Sequence, residues 1–186
     1  MPGLAPLPWY AGFKLAVFVL LIVNTAFFAS HGTFSEGLDS AAWFTLLVLF
    51  ELETAHAGRL SSRRAVTAMH GVRLAAAAAV MAAAIGYVHE KAWLDAVNAW
   101  LWIVVVVLLE VEVRYAPAVA RHRGWFGGSA AVLYCGLAGA VFVWAWRGQW
   151  FDAYDAALWL LAFATIEMNV LANFSRGGAY PPPAAA

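Results

Sequence analysis

The sequence predicts an all-α integral membrane protein: six transmembrane helices arranged as three tandem helix-hairpin repeats, with a period of about 58 residues. Three observations carry that reading. Of 186 residues, 64% are hydrophobic and 12% charged, about half the charged share of an ordinary soluble domain. The apolar residues gather in helix-length runs, and the chain aligns with itself when shifted. A soluble domain of this length has too little interior to bury so much apolar surface, and zero net charge leaves no basic footprint for nucleic acid.

The runs are Phe13 to Ala29, Ala41 to Phe50, Leu74 to Val88, Ala96 to Leu109, Ala130 to Trp146 and Ala156 to Ile166. Each reads as a bilayer-crossing helix. The first is read as a retained helix rather than a leader. Only Lys14 flanks it on the basic side, and "NTAFFASHG" offers no good small-x-small cleavage site. The third run, with "LAAAAAVMAAAIG", is a small-residue surface that lets helices approach closely. Cys135 stands alone in an apolar run and reads as packing. Asn24, Thr25 and Tyr134 read as isolated interhelical hydrogen-bond formers, or else as members of a polar interior. The tail, residues 179–186, contains three consecutive prolines. It is expected to be disordered.

Basic residues give the orientation. Lys14, Arg59, Arg63, Arg64, Arg73, Arg114, Arg121, Arg123 and Arg176 fall at one set of helix ends, while Lys91 and Arg147 fall at the other. Nine against two predicts a bacterial-type inner-membrane protein with both termini cytoplasmic.

The repeat has units 10–66, 69–125 and 126–178 in one membrane domain, residues 1–186. One shift carries the first unit onto the second, and a slightly shorter one carries the second onto the third. Gly12, Gly71 and Gly128 open the units. Phe34, Trp93 and Trp150 align, followed by Glu36, Asp95 and Asp152, then Asp39, Asn98 and Asp155. Trp43, Trp102 and Trp159 come next, then Glu51, Glu110 and Glu167, and last Glu53, Glu112 and Asn169. With 11 acids in 186 residues, a further match in one acidic column has a chance on the order of one in twenty, and several columns match together. All three units keep the same topology, unlike the inverted repeats of many transporters.

The columns differ in what they predict. Asp39, Asn98 and Asp155 stand where the apolar runs begin and read as N-caps. Glu36, Asp95 and Asp152 add negative charge where the helix dipole favours it. Together they make an outer acidic ring that either caps helices or gathers cations. Trp43, Trp102 and Trp159 form an aromatic layer, either an interfacial belt or an aromatic vestibule or pigment contact. The Glu columns are harder to explain as structure. Each first Glu lies a constant distance beyond the Asp/Asn column, roughly 18 Å along a helix, against a hydrocarbon core of about 30 Å. A charge at mid-membrane costs about 2.5–3.5 kcal/mol, so protons, Arg partners, water or a cation must compensate.

Residues i and i+2 project about 200° apart, so one Glu per helix can face a common axis. The complete column Glu51, Glu110 and Glu167 is expected to face the interior. It would be the ion-binding site, with Glu53, Glu112 and Asn169 beside it and at least one carboxyl protonated or ion-bound. The competing expectation has these acids snorkel to the inner interface and pair with Arg residues.

No metal or cofactor is assigned. Glu53-x-x-His56 has the spacing of a carboxylate di-iron motif, but Tyr115 and Ala172 replace the His in the other units. The five His sit toward helix ends rather than at matched central depth for haem. No phosphate loop, nucleophile setting or other catalytic set appears. Two functions follow. One is conducting or coupling a cation or proton through the carboxylate site. The other is a non-catalytic accessory or scaffold subunit of a larger membrane complex, contacting pigment or quinone. Expected partners are the lipid bilayer, and other membrane subunits or a second copy; nucleic acid is not among them.

Overall fold

The computed structural model describes the backbone of residues 8–55 and 62–175, and the side chains of all of these except 8–11, 54–55, 63, 113, 116 and 165–175. The described chain is all helical. It runs α1 Pro8–His31, α2 Phe34–Ala55, α3 Arg63–His89, α4 Trp93–Arg114, the short α5 Ala116–Arg121, α6 Arg123–Trp146 and α7 Trp150–Ser175. The tail at 179–186, with His56, Arg59 and Arg176, lies outside the described residues.

By length and composition four helices can cross a membrane: Gly12–His31, Arg64–His89, Trp93–Glu112 and Arg123–Trp146. The chain is thus a multi-pass membrane protein. The six expected runs correspond to the six long helices, but α2 and α7 are not among these four. In α2 the reason is visible: Glu36, Asp39, Glu51 and Glu53 all lie within its 22 residues. The outward surfaces fit lipid contact. Leu15, Ile22 and Val23 on α1, Leu74 on α3, Val107 on α4, and Val132 and Phe142 on α6 are all exposed. On a water-soluble monomer so much exposed apolar surface would be a liability.

The six long helices close into a ring in chain order. α1 packs on α2, α2 on α3, α3 on α4, α4 on α6, α6 on α7, and α7 back on α1. Among the described residues α2, α4 and α7 make no close backbone approach to one another. Their large side chains span the middle instead. The central core contains Val17, Leu21, Trp43, Leu47, Val80, Trp102, Val105, Leu137, Leu158 and Trp159. Two satellite clusters sit toward one end: Ala84, Tyr87, Ala96 and Ala99 between α3 and α4, and Ala140, Trp144, Ala153 and Ala156 between α6 and α7. Tyr87, Ala96 and Ala99 align with Trp144, Ala153 and Ala156 under the same shift of the sequence that aligns the acids.

The turns at this end repeat too. After α3, Lys91 N–H donates to Val88 O at 3.2 Å and Ala92 N–H to Tyr87 O at 3.0 Å. After α6, Gly148 N–H donates to Ala145 O at 3.1 Å and Gln149 N–H to Trp144 O at 2.9 Å. Both are αL-terminated helix ends; φ is 60° at Lys91 and 77° at Gly148. Gly32, which aligns with them in sequence, instead donates its N–H to Phe28 O at 2.9 Å. A Cβ there would lie 2.7 Å from both Phe28 O and Glu36 Oε2, so only Gly fits.

The helix starts correct one expectation. Asp39, Asn98 and Asp155 are not N-caps. α2, α4 and α7 begin at the aromatic residues Phe34, Trp93 and Trp150, which puts the Asp/Asn column more than a turn inside each helix. The apolar run marks where the sequence turns hydrophobic, and hydrogen bonding starts before it. Glu36, Asp95 and Asp152 occupy the third helical position. At α2 this completes a capping box: Thr33 N–H donates to Glu36 Oε2 at 2.6 Å, and Glu36 N–H to Thr33 Oγ1 at 3.3 Å.

Candidate functional site: an acidic chamber over an aromatic floor

Glu36, Asp39 and Trp43 are spaced i, i+3, i+7, and so are Asp95, Asn98 and Trp102, and Asp152, Asp155 and Trp159. That spacing lays each trio along one face of its helix. All nine side chains line a single cavity of about 60 Å³ at the end of the ring where α2, α4 and α7 begin. The carboxylates of the third helical position form its rim, the Asp/Asn column comes one turn deeper, and the Trp residues form the floor. α1, α3 and α6 complete the wall with Phe28, Tyr87 and Trp144.

The floor is closed. Trp43 lies 6.3 Å from Trp102 and 6.5 Å from Trp159 between ring centroids, and Phe163 fills the middle, 4.6 Å from Trp102. The three Trp residues are 9%, 6% and 8% exposed, so they are core residues and not an interfacial belt.

The wall is rich in carboxylates, and among the described residues no Lys, Arg or His lines it. Trp43 and Tyr87 stand beside Asp39 in the lining, yet Asp39 Oδ1 and Asn98 Oδ1 are buried without a hydrogen-bond partner. Such orphaned acceptors carry a desolvation cost of roughly 1–3 kcal/mol each. Asp155 is better served: Asn24 Nδ2, on the buried face of α1, donates to its Oδ1 at 2.6 Å. Ser40 Oγ donates to Thr25 Oγ1 at 3.1 Å, so both polar residues singled out in the first run bond between helices at the chamber wall. The carboxylates act on one another, Asp39 on Asp155 and Asp95 on Asp152. Several such groups away from bulk water cannot all remain charged without a counter-ion or shared protons. Among the described residues no group of three or more His, Cys, Asp or Glu is disposed to hold a metal.

The Glu columns go elsewhere. Glu51 pairs with Lys14 on α1, and Glu53 with Arg73 on α3. Glu110 pairs with Arg114 on its own helix, and Glu112 is exposed. None of these four lines the chamber. The side chains of Glu167 and Asn169 lie outside the described residues, as does His56 of the Glu53-x-x-His56 motif. Helical phase explains the divergence. Measured from Trp43, Glu51 is about 80° to one side and Glu53 about 80° to the other. Each therefore points at a ring neighbour and not at the axis.

Phe28, Tyr87 and Trp144 were missed by the sequence reading, although the shifts that align the acids align them as well. They stand on the first helix of each unit, where aromatic residues near a membrane surface are too common to signal a site.

No protein-family model matches the chain, and no curated protein or solved structure is similar to it.

Proposed function

We propose that the chain is a six-span bacterial inner-membrane protein of three tandem hairpins, with both termini cytoplasmic, that binds a cation or proton in the acidic chamber and couples or conducts it. The observation that carries this reading is the chamber itself. Three equivalent helix starts bring Glu36, Asp39, Asp95, Asp152 and Asp155 around one cavity with two unpartnered acceptors and no Lys, Arg or His among its described lining residues. Acids inside a membrane protein are costly and mark ion or proton pathways. The positive-inside bias directs the chamber mouth to the extracytoplasmic side. The aromatic floor makes this an occluded site, so passage requires Trp43, Trp102, Trp159 and Phe163 to part.

The test is flux in proteoliposomes. An imposed proton or monovalent-cation gradient is expected to dissipate faster with the parent protein than with empty vesicles. The Asp39→Asn/Asp155→Asn variant is expected to lose at least tenfold of that rate, with helical content and monodispersity retained. A parent that moves nothing favours the accessory-subunit reading, and a variant as active as a conducting parent removes the chamber from the pathway.

A further inference from the structure

We propose that the chamber is a receptor site for a small organic ammonium ion of two to four heavy atoms, which donates to the Asp39 and Asn98 acceptors and rests its alkyl group on the tryptophan floor. This rests on the cation reading above and gives it a ligand class.

Four observations carry it. The first is the pair of buried acceptors without partners, Asp39 Oδ1 and Asn98 Oδ1, which stand on different helices of the chamber wall. Both are oxygens that the Trp, Tyr and Ser groups of the lining leave without a donor, and a primary ammonium brings three N–H donors on one charge. The second is the distribution of the acids. They are spread around three helix starts and do not converge as a metal group among the described residues. A bare metal ion needs several oxygens within about 2.0–2.6 Å of one point. An ammonium needs only acceptors around about 2.9 Å from its nitrogen, in different directions.

The third is the floor. Trp43, Trp102 and Trp159, with Phe163 between them, present aromatic surface directly beneath the acids. A cation over an aromatic face is attracted by the ring quadrupole, most strongly by Trp. An alkyl group gains further from that apolar surface, and a hydrated inorganic ion does not. The fourth is size. A cavity of about 60 Å³ is well below the roughly 150 Å³ that accepts benzene, which suits methylammonium or ethylammonium.

The experiment is a titration of tryptophan emission of the full chain in detergent, at fixed ionic strength, with methylammonium chloride or sodium chloride. Methylammonium is expected to give a saturable change and sodium none. Asp39→Asn is expected to weaken the apparent affinity at least tenfold, and Trp102→Phe roughly threefold to tenfold. Trp146→Phe, at a ring that is 92% exposed on the outside, is expected to leave it unchanged. If Asp39→Asn fails to fold, Trp102→Phe and the choice of cation still decide the matter. An equal saturable response to sodium overturns the ammonium assignment and leaves the cation reading standing. No saturable response to methylammonium in a folded parent also overturns it, and the flux assay then judges the broader reading alone. A methylammonium response that survives both chamber substitutions places the ion elsewhere and overturns the site.

Discussion

Asn24 is 2% exposed, and its amide sits against a carboxylate on the last helix. Replacing it with Ala removes the donor to Asp155 Oδ1 and leaves a small void. The expected cost is about 1–3 kcal/mol, read as a lower melting temperature in detergent. Asn24→Ala/Asp155→Ala is expected to cost less than the sum of the two single changes, because the acceptor goes with the donor. Close approach supplies a second case. A Cβ on Gly86 would collide with Ser35 Oγ, where α3 crosses α2. Gly86→Ala is expected to cost about 1–3 kcal/mol by overpacking, and Ser35→Ala in the same chain to recover part of it. Individual residues were unevenly legible. An Asn inside an apolar run stands out, because a polar group there needs a partner. A Tyr or Trp near a helix end does not, so the wall residues Tyr87 and Trp144 passed unnoticed.

The three hairpin turns invite comparison as elements. Gly32 and Gly148 are glycines where the second unit has Lys91, held at a φ of 60°. A non-Gly residue in that region costs about 1–2 kcal/mol. By the same conformational difference, Lys91→Gly is expected to raise stability by up to about 1 kcal/mol, and Gly148→Ala to lower it by a similar amount, both measurable by thermal melts. Helix existence was legible here and helix boundaries were not. Hydrophobicity locates the part of a helix that meets lipid. The first turn of α2 is instead fixed by Thr33 and Glu36, polar residues that a hydropathy pattern places in a loop. The same displacement turned an expected row of caps into a row of chamber acids.

Across the whole molecule, the ring order explains what the repeat predicted and what it did not. The aligned Trp and Asp/Asn residues line one cavity, whereas Glu51 and Glu53 turn aside to α1 and α3. The sequence shows equal spacing from Trp to Glu. It does not show which residue faces inward, because the inward direction is fixed only when neighbouring helices take their places. Orientation stays testable as a whole-molecule property. Cysteines introduced at Glu90 and Gln149 are expected to react with an impermeant reagent from the extracytoplasmic side, and one at Arg121 only after the membrane is opened. The reverse pattern would turn the chamber mouth toward the cytoplasm.

The bond between Asn24 and Asp155 spans 131 residues. At a translation rate of about 5–20 residues per second, Asn24 leaves the ribosome roughly 7 to 26 s before the carboxylate that receives its amide. Throughout that interval the amide buried against α7 in the folded chain has no Asp155 to receive it. A chain cut short before α7 is therefore expected to leave Asn24 without its acceptor inside an apolar helix, at a cost of roughly 1–3 kcal/mol.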